Sequence, residues 1–557
     1  MRPTTLRLAS VLLLNLIARA ALAQAQPDAG NLLQQVRPPV VPSTAQPAPA
    51  LRLDAAKLKE EQAAVAFELR RIRISGNTLF DEPTLHALVQ DLEGRKLTLQ
   101  QISEGVARIT RFYQSKGYPL SRALIPAQSI QQGELAVQVL EARYGEARLG
   151  GNTSAVGDEL IRAILSPLQP GAPVADATLD RALLLLSDLP EVTVGASASP
   201  GAKPGTTDIE VQTSKLLAPQ LNLGLDNYGS SYTGRIRLSA AASLFNPLHR
   251  GDTLSLALLT SGDGMDYVRT SYDIVLGGSG AHAGAAYSAM RYRLGDAAYA
   301  LDAHGTAGVA SAWLRYPLLR SRSSNVYAMA QFDQKRLRDQ IGLTGSDNKR
   351  HLNNAVFGLN GDTQLLPGDN TSWWSLTLTA GRVGFDNAAA GAADEASAQT
   401  RGSFAKWGLT ASHQQRLTAN GALYLALSAQ AANANLDSAE KLSVGGPYSV
   451  RAYDSGAVSG DAGSTATIEW RQSLGGLVGG QLQLQGFFDL AHVRINHRPW
   501  AAVDNGATIR GAGVGLSWST PSLWFVNAVV ASRIGSAPAQ TGDAPSTRGW
   551  LIVSRAI

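Results

Sequence analysis

The sequence contains no cysteine among its 557 residues, and this absence excludes whole classes of chemistry. Without thiols there can be no disulfide framework, cysteine nucleophile, cysteine metal ligand or thiol redox site. The eight histidines are scattered along the chain. We find no sequence signature of a zinc site, a nucleotide-binding loop or a nucleophile elbow. The sequence therefore predicts a protein that is not an enzyme and that carries neither a metal nor a cofactor.

Charged residues and long apolar runs are also scarce. Only 17% of the residues are charged, which is fewer than the roughly 25% of an average soluble chain. Beyond the N-terminus, no apolar run reaches the roughly 18 residues that a membrane-spanning helix needs. The net charge of +5 is small for this length and does not predict a nucleic-acid partner. Such a chain is either exported and soluble, or it crosses a membrane as the strands of a closed barrel.

The N-terminus, residues 1–23, has the three parts of a secretory signal peptide. Arg2 and Arg7 give the positive region, residues 8–17 form a short apolar core, and Ala21-Leu22-Ala23 is a cleavage site. Residues 24–64 then form a leader. It is predicted to begin with a short helix over Asp28–Arg37 and to continue as an extended linker, because prolines recur between positions 38 and 49.

Two related units follow the leader. The tripeptide Gly76-Asn77-Thr78 recurs as Gly151-Asn152-Thr153. Each copy is followed by two apolar patterns of helical period and then by strand patterns. Tandem β-α-α-β-β repeats explain this arrangement better than a single domain with an accidental match. We predict one unit over residues 65–142, opening with one strand over Phe67–Ile74, and a second unit over residues 143–213.

The helical period is lost from residue 214 to residue 557, where segments of about ten residues alternate between apolar and small or polar side chains. Leu254, Leu256 and Leu258, for example, alternate with Thr253, Ser255 and Ala257. This dyad is typical of a transmembrane barrel, and the length accommodates about 14 to 18 strands, in even number. A secreted β-sandwich or solenoid would also alternate, but its outer face would carry lysine and glutamate. Gly511, Gly513 and Gly515 precede such a strand rather than a helix, which favours small lumen-facing residues over a nucleotide loop.

One long glycine-rich connection, at Asn435–Gly463, is predicted to be a functional loop because it is too long for a simple hairpin. Its motif runs over Gly445, Gly446, Pro447, Tyr448, Ser449, Val450, Arg451, Ala452 and Tyr453. Asp489 shares strand parity with Gln481, Gln483 and Gln485, so it should face the lumen. Glu469 and Arg471 should face the lumen from the preceding strand by the same count. We interpret Arg451 and Asp489 as a latch, with a solvated loop arginine and an ordinary wet-lumen aspartate as the alternative.

The chain resembles the TpsB family of two-partner secretion transporters, of the ShlB/FhaC/HecB type that secretes haemolysins and adhesins. The order of leader, two repeats and barrel is that of the family. The family's motifs are similar to Leu225-Asp226-Asn227-Tyr228-Gly229 with Thr233-Gly234-Arg235, to Asn246-Pro247-Leu248 with Gly251-Asp252, to Gly445 through Tyr453, and to Phe488-Asp489.

The resemblance implies a fold class: a membrane β-barrel of about 16 antiparallel strands, preceded by two α+β POTRA domains. It also implies a location, with the barrel in the outer membrane and the POTRA domains in the periplasm. The function implied is an outer-membrane pore that receives an unfolded exoprotein through the POTRA domains and secretes it. Its partners would be one large TpsA-type exoprotein, outer-membrane lipid and the barrel-assembly machinery. The leader helix would plug the resting pore, and Asp489 would hold the loop that bears Arg451 inside the lumen.

Two positions depart from the family pattern, and two other functions remain open. Ala452 stands where the family motif has glycine, which would remove a positive-φ option if the loop needs one there. Ile557 stands where an aromatic residue usually serves as an assembly signal.

A barrel-assembly or insertase protein has a similar architecture, although two POTRA repeats and a proline linker disfavour it. A passive porin would leave the repeats and the long loop without purpose. The cargo could be a haemolysin, an adhesin or a contact-dependent toxin.

Overall fold

The computed structural model describes residues 27–36, 51–53, 66–130, 132–364, 369–502, 504–542 and 545–557. The predicted signal peptide, Arg37 and the prolines between positions 38 and 49 lie outside these residues. Within the described ranges, no helix combines the length and the apolar character needed to cross a membrane.

The described residues of the leader form one short helix and one short strand. Helix α1 covers Ala29–Gln35, and the Asp28 carboxylate caps it by accepting a hydrogen bond from the Asn31 N–H at 2.9 Å. Leu32, Leu33 and Val36 are all buried, which is what the helical spacing predicts for one side of a helix. Strand β1 covers Leu51–Leu53 and joins the sheet of the second repeat, where its partner strand runs parallel to it.

The first repeat packs helices against a small sheet. Its elements are β2 (Ala66–Leu69), β3 (Arg71–Ser75), α2 (Glu82–His86), a 3-10 turn (Gln90–Leu92), β4 (Arg95–Thr98), α3 (Leu99–Ser115), β5 (Arg122–Leu124) and β6 (Glu134–Leu140). The strand order is β3-β6-β5, with β2 and β4 paired beside it. The prediction of a single strand over Phe67–Ile74 is wrong. The chain breaks at Arg70, where the N–H groups of Arg70 and Arg71 both donate to the Gly133 carbonyl.

A buried carboxylate closes the first repeat. Glu141 is 7% exposed and accepts hydrogen bonds from the N–H groups of Thr78 and Leu79, at 2.7 and 2.8 Å, and from the Tyr113 hydroxyl at 2.8 Å. Burial by itself would raise the pKa of Glu141, but the bonds from Thr78 and Leu79 outweigh it and hold that pKa below its ordinary value. Burial and the contact with Glu141 raise the pKa of Tyr113. This network anchors the Gly76-Asn77-Thr78 turn to the end of β6.

The second repeat also packs two helices on one side of a sheet. Its elements are β7 (Arg143–Asn152), α4 (Asp158–Leu165), α5 (Asp176–Ser187), β8 (Val192–Pro200) and β9 (Thr206–Lys215). The strand order is β1-β8-β9-β7. Asn77 and Asn152 act alike at the repeated turn, because each side-chain amide donates to a carbonyl a few residues on, Phe80 at 2.9 Å and Val156 at 2.8 Å.

Sixteen antiparallel strands close into a barrel, which confirms the predicted fold class. They are β10 (Leu221–Asp226), β11 (Arg237–Phe245), β12 (Thr253–Thr260), β13 (Met265–Leu276), β14 (Ala281–Arg293), β15 (Ala303–Arg320), β16 (Ser324–Ile341), β17 (Ser346–Thr363), β18 (Asn370–Phe385), β19 (Gly402–Arg416), β20 (Gly421–Ala432), β23 (Ala462–Leu477), β24 (Gly480–Arg494), β25 (Gly506–Ser519), β26 (Trp524–Arg533) and β27 (Thr547–Ala556). Each barrel strand pairs with the next one along the chain, and β10 closes the ring against β27. Leu254, Leu256 and Leu258 are 42–45% exposed on the outer face, as the dyad predicts.

The connection between β20 and β23, residues 433–461, carries its own structure, and we call it the latch loop. It contains a 3-10 turn at Ser438–Glu440 and a hairpin of β21 (Leu442–Val444) and β22 (Val458–Gly460). A second connection, between β18 and β19, carries helix α6 (Ala388–Glu395). Because β10 enters the barrel from the second repeat, both connections lie at the end of the barrel away from the repeats.

The second repeat is docked on the opposite end of the barrel. The Asp188 carboxylate, at the end of α5, accepts two hydrogen bonds from the Arg320 guanidinium, at 2.7 and 2.8 Å. Arg322, in the same turn, pairs with Asp180 at 2.8 Å. The Gly157 N–H donates to the His249 carbonyl of another turn at 2.8 Å. The barrel turns and the second repeat thus form one continuous contact.

Candidate functional site

The latch loop folds back into the barrel, and its arginine meets the two neighbouring strands β23 and β24. The side chains of Glu469 on β23 and Asp489 on β24 are 3% and 0% exposed, and Arg451 is 8% exposed. Both carboxylates face the lumen because Ile468 and Phe488, their neighbours in sequence, are exposed on the outer face.

The guanidinium of Arg451 divides its donors between the two carboxylates. Its Nε donates to Asp489 Oδ2 at 2.9 Å and its Nη2 to Asp489 Oδ1 at 2.9 Å, while its Nη1 donates to Glu469 Oε2 at 2.6 Å. The backbone N–H of Arg451 also donates to Asp489 Oδ2 at 3.1 Å. This forked geometry fits arginine and not lysine, because only a guanidinium holds its donors in a rigid plane.

The charges of this site balance. Arg471 donates from Nε to Glu469 Oε1 at 2.8 Å, so two arginines face two carboxylates. The ring of Phe487 lies under the guanidinium carbon of Arg451, at 3.2 Å from the ring centroid. A buried charge without a partner would be costly. The site is thus a group of four paired ionic side chains, one of which, Arg451, stacks on an aromatic ring.

The motif residues shape the loop around Arg451. Gly445 and Gly446 have φ values of +100° and +99°, a conformation that side chains disfavour. The Gly446 N–H donates to the Tyr453 carbonyl at 3.0 Å and so closes the turn. Val450 and Tyr453 are buried, whereas Pro447 is half-buried. The motif therefore supplies the bend of the loop and the apolar contacts that hold Arg451 against the barrel wall.

The alanine at position 452 is accommodated by a glycine on the barrel wall. Among the residues with positive φ, the loop includes Gly445, Gly446 and Gly456 but not Ala452. The expected conformational cost of Ala452 is therefore absent. Ala452 is fully buried, and a Cβ added to Gly511 on β25 would lie 2.5 Å from the Ala452 Cβ. The lumen-facing glycine at 511 thus leaves the space that Ala452 fills.

A second ionic group fixes the start of the latch loop. Glu440 is 3% exposed and pairs with Lys335 on β16 and with Lys406 on β19, the latter at 2.9 Å. Asn354 donates to Glu440 Oε1 at 2.8 Å. Three residues before it, Asp437 pairs with Arg350 on β17 at 2.6 Å. The loop is therefore bound to the barrel wall on both sides of the lumen.

Arg350 also holds helix α1. It pairs with Asp28, the N-cap residue of the helix, at 2.9 Å, and with Asp339 on β16. The Asp339 carboxylate accepts a hydrogen bond from the Ala29 N–H at 2.8 Å. One buried guanidinium thus joins the helix, the latch loop and the wall.

The apolar side of α1 packs on the wall formed by β13 to β19. Leu32 and Leu33 belong to a buried cluster with Met265, Leu337 and Phe404. The other side of α1 faces the latch loop, where Gln34 donates to the carbonyls of Ser438 and Lys441, at 3.3 and 2.7 Å. The loop in turn packs on β24 to β27 through a separate cluster, which includes Val450, Tyr453, Phe487, Ile509, Val529 and Trp550. Helix and loop together occupy the lumen from wall to wall.

The structure brings together the four ionic residues that the sequence singles out, Arg451, Asp489, Glu469 and Arg471. Sequence reasoning missed other members of the site. Phe487 shares the lumen parity of Asp489 and could have been found from it. The Trp550 indole donates a hydrogen bond to the Arg451 carbonyl at 2.6 Å. The two residues are 99 positions apart in the sequence, so no local sequence pattern predicts that bond. The partners of Glu440 and Asp437 were missed for the same reason.

The described residues contain no group of three or more histidine, aspartate or glutamate side chains arranged to hold a metal ion. The ionic groups in the lumen pair acids with bases instead. What such an arrangement can do is bind one segment of the chain to another until a competing contact replaces it.

Comparison with known proteins gives two family matches. The model of the haemolysin secretion/activation protein ShlB/FhaC/HecB matches residues 205–518, and the model of the ShlB-type POTRA domain matches residues 67–142. The heme/hemopexin transporter protein HuxB of Haemophilus influenzae (strain 86-028NP) is 25% identical over 99% of both chains. The outer membrane transporter CdiB of Dickeya dadantii is 24% identical over 83% of both chains.

Solved structures give the same fold. CdiB from Escherichia coli superposes with a TM-score of 0.71 at 19% identity, covering 90% of this chain and 93% of that one. CdiB from Acinetobacter baumannii gives a TM-score of 0.63 at 17% identity, covering 100% and 98%. This chain therefore shares its fold with these two structures over nearly its whole length.

Proposed function

We propose that this chain, which belongs to the ShlB/FhaC/HecB family of haemolysin secretion/activation proteins, is a gated pore whose latch loop and leader helix close it at rest. The family assignment makes the protein an outer-membrane transporter of two-partner secretion, with its POTRA domains in the periplasm and one exoprotein as its partner. This favours the transporter over the insertase alternative.

The observation that carries the proposal is the occupancy of the lumen from both sides. Helix α1 lies on one wall and the latch loop on the other, and they meet at Gln34 and Ser438. An unfolded exoprotein needs that space. Both elements are held to the wall by ion pairs, hydrogen bonds and apolar packing, and neither is part of the barrel sheet. They can therefore leave without opening the sheet.

In this proposal Arg451 and Asp489 are the latch, with Glu469 and Arg471 as its supporting pair.

The proposed domains are the leader at residues 24–64, the POTRA domains at 65–142 and 143–213, and the barrel at 214–557. The two POTRA domains receive the exoprotein, and the barrel itself depends on lipid and on the barrel-assembly machinery. The chain performs no catalysis and uses no cofactor. Secretion draws on folding of the exoprotein outside the cell.

The latch is tested by measuring exoprotein in the medium of cells that carry Arg451→Ala or Asp489→Ala. We expect at least a tenfold loss of secretion. Arg451→Ala leaves the buried Asp489 without a cation, and Asp489→Ala leaves Arg451 with Glu469 alone, and breaking a buried ion pair costs about 3–5 kcal/mol. Heat-modifiable mobility of the barrel on gels reports that it is present and closed. Arg269→Ala is the matched control, since Arg269 lies on β13, a strand that carries none of the partners of Arg451. Secretion at the wild-type level in both latch variants would contradict the proposal.

The transporter function is tested separately by deleting the gene. We expect the loss of one secreted protein and unchanged amounts of other outer-membrane proteins. A general loss of outer-membrane proteins would instead favour the insertase.

A further inference from the structure

The outer face of one barrel wall carries a group of basic side chains at the end away from the repeats. They lie on strands β14, β16, β17 and β18, and we call them the basic belt: Arg291, Arg293, Arg336, Arg338, Lys349 and Arg382. Strand alternation places them outward, because the residues next to them in sequence face the lumen. Tyr292, Leu337 and Val383, for example, are buried in the cluster that includes helix α1. The basic belt and the leader helix thus lie on opposite faces of the same wall.

The strand register brings the members of the basic belt close together. Thr306 on β15 pairs with Arg291 on one side and with Arg338 on the other. Arg338 pairs in turn with Lys349. Because neighbouring strands are about 4.8 Å apart, Arg291 and Lys349 are separated by about 14 Å. Long side chains on these strands can therefore bind one large anionic group together.

The basic belt has more cations than the outward-facing carboxylates of the same strands can pair. Asp266 pairs with Arg291 at 2.7 Å. Asp347 is shared by two cations of the belt, at 2.9 and 3.2 Å. Arg336 and Arg382 are exposed and pair with no carboxylate among the side chains that the structure describes. The belt therefore keeps positive charge that can attract an external anion.

Large aromatic side chains lie below the basic belt on the same outer face. Tyr287 is exposed four residues before Arg291 on β14. Phe332 is exposed four residues before Arg336 on β16. Aromatic residues mark the boundary of the apolar band in outer-membrane barrels, where a charged side chain costs little free energy. The basic belt therefore lies at the level of the lipid headgroups on the outer side of the membrane.

The wall on either side of the barrel closure lacks such a belt. Strands β26, β27, β10, β11 and β12 are described in full, and alternation leaves Arg555 as their single outward-facing charged residue. Arg555 lies at the end of β27 that is near the repeats. At the other end, the outward positions of these strands include Ser532, Thr547, Leu238 and Thr260. The basic belt is therefore a local feature of one wall.

We propose that the basic belt is a binding site for the phosphorylated saccharide headgroup of an outer-leaflet lipid. Guanidinium groups bind phosphate through pairs of parallel hydrogen bonds. Clusters of lysine and arginine next to a membrane-spanning surface bind anionic headgroups. The acyl chains of the lipid lie along the apolar outer face, beside Tyr287 and Phe332. Lipid A, the phosphorylated disaccharide lipid of the bacterial outer leaflet, has this chemistry.

Lipid A binding to the full-length protein in neutral detergent tests the site. Arg336→Gln with Arg382→Gln removes two cations that pair with no described carboxylate. We expect lipid A to bind at least tenfold more weakly to this variant, because each cation beside an anionic headgroup changes the affinity about fivefold. Native mass spectrometry across a lipid A titration measures the affinity, and heat-modifiable mobility on gels reports that the barrel is folded.

Arg494→Gln with Arg510→Gln is the matched control. Both arginines are exposed and face outward at the same end of the barrel, on β24 and β25, outside the basic belt. We expect this variant to bind lipid A within twofold of the unmodified protein. An equal loss of affinity in the two double variants would show that any outward-facing cation attracts the lipid, and it would overturn a site on β14 to β18.

The lipid is varied in a second arm of the experiment. Lipid A without its phosphates should bind the unmodified protein at least tenfold more weakly, and so should phosphatidylglycerol, which is anionic but has no saccharide. Phosphatidylglycerol that binds as tightly as lipid A would overturn the proposal in favour of a general anionic surface. Inorganic phosphate that displaces lipid A at equal concentration would overturn it in favour of a site for the free ion. Exoprotein secretion does not enter these measurements, so their outcome leaves the transporter function untouched.

Discussion

At the scale of single residues, the latch site depends on matched sizes as much as on matched charges. Ala452 and Gly511 approach so closely that a Cβ atom on Gly511 would lie 2.5 Å from the Cβ atom of Ala452. Gly511 also faces the lumen, so its lack of a side chain is a packing requirement of the loop. The small side chain on the latch loop and the missing side chain on strand β25 therefore allow the two elements to pack closely.

We expect Gly511→Ala to weaken the seating of the latch loop and to lower exoprotein secretion several-fold. Overpacking of a filled site typically costs about 1–3 kcal/mol. The double variant Gly511→Ala with Ala452→Gly should restore secretion, since it moves the same methyl group to the other partner. The protease sensitivity of the loop measures how well it is seated, and the amount of exoprotein in the medium measures secretion. No rescue in the double variant would mean that the two residues act independently.

Glu141 should make the stability of the first repeat depend on pH, and its depressed pKa fixes the direction of that dependence. Its pKa is depressed in the folded protein by hydrogen bonds to the ionised form. The stability that it contributes is therefore present above its unfolded pKa and is lost as pH falls through the folded one.

We expect the protection of the amides at residues 76–80 against hydrogen exchange, compared with that of the second repeat at the same pH, to fall as the pH falls below about 4.3. The variant Glu141→Gln should show this low protection already at neutral pH. The full-length protein in detergent serves for this measurement, with the second repeat as internal reference. A wild-type turn that stays equally protected down to pH 2 would contradict this assignment.

At the scale of elements, the sequence predicts regular patterns well and distant partners poorly. The barrel strands follow from the dyad, because lipid on one side and water on the other impose a period of two on every strand. The leader helix follows from Leu32, Leu33 and Val36. The break at Arg70 was missed because its cause is the Gly133 carbonyl, which lies in the distant turn before β6. The three-residue strand β1 was missed because its pairing with β8 is what makes it a strand.

The same limit applies to the candidate site. Strand parity placed Asp489, Glu469 and Arg471 on the lumen side, and the glycine-rich loop identified Arg451. Parity says which way a side chain points but not which loop folds over it. The contacts of Arg350 with Asp28 and Asp437 join segments 322 and 87 residues apart. They arise only when the barrel has closed around the leader.

Helix α1 is short enough that its end contacts decide whether it stays in the lumen. We expect Asp28→Ala to increase the open probability of the pore about fivefold or more, because loss of an N-cap alone costs about 1 kcal/mol and the ion pair with Arg350 is lost as well. Conductance in planar bilayers measures this. Asn31→Ala on the same helix is the control, since only its backbone takes part in the cap. Equal conductance of the two variants would show that Asp28 does not hold the helix.

At the scale of the whole molecule, the position of the second repeat is fixed by buried charge. The side chain of Arg320 is 4% exposed and lies against Asp188 on the repeat. The contact joins the periplasmic turns to α5, so the second repeat has a defined position relative to the pore mouth. A loosely attached repeat would not deliver a chain to one place.

We expect Asp188→Ala to release the second repeat, because it leaves the buried Arg320 without its carboxylate at a cost of about 3–5 kcal/mol. Faster hydrogen exchange in the turn at residues 321–324 and lower secretion should follow together. Asp158→Ala provides the comparison, since its pairing with Arg162 is exposed and pairs of that kind contribute at most about 0.5 kcal/mol. If both variants exchange alike, the contact at Asp188 does not position the repeat.

The seam of the barrel joins the first barrel strand to be synthesised with the last. Asn227, directly after β10, donates to the Gly549 carbonyl on β27 across 322 residues. Until β27 is in place, β10 therefore has no partner strand on that side. The ring can form only after every other strand has arrived, so a chain interrupted anywhere before β27 cannot complete a pore. Closure of this sixteen-stranded ring is therefore possible only for a chain that contains both β10 and β27.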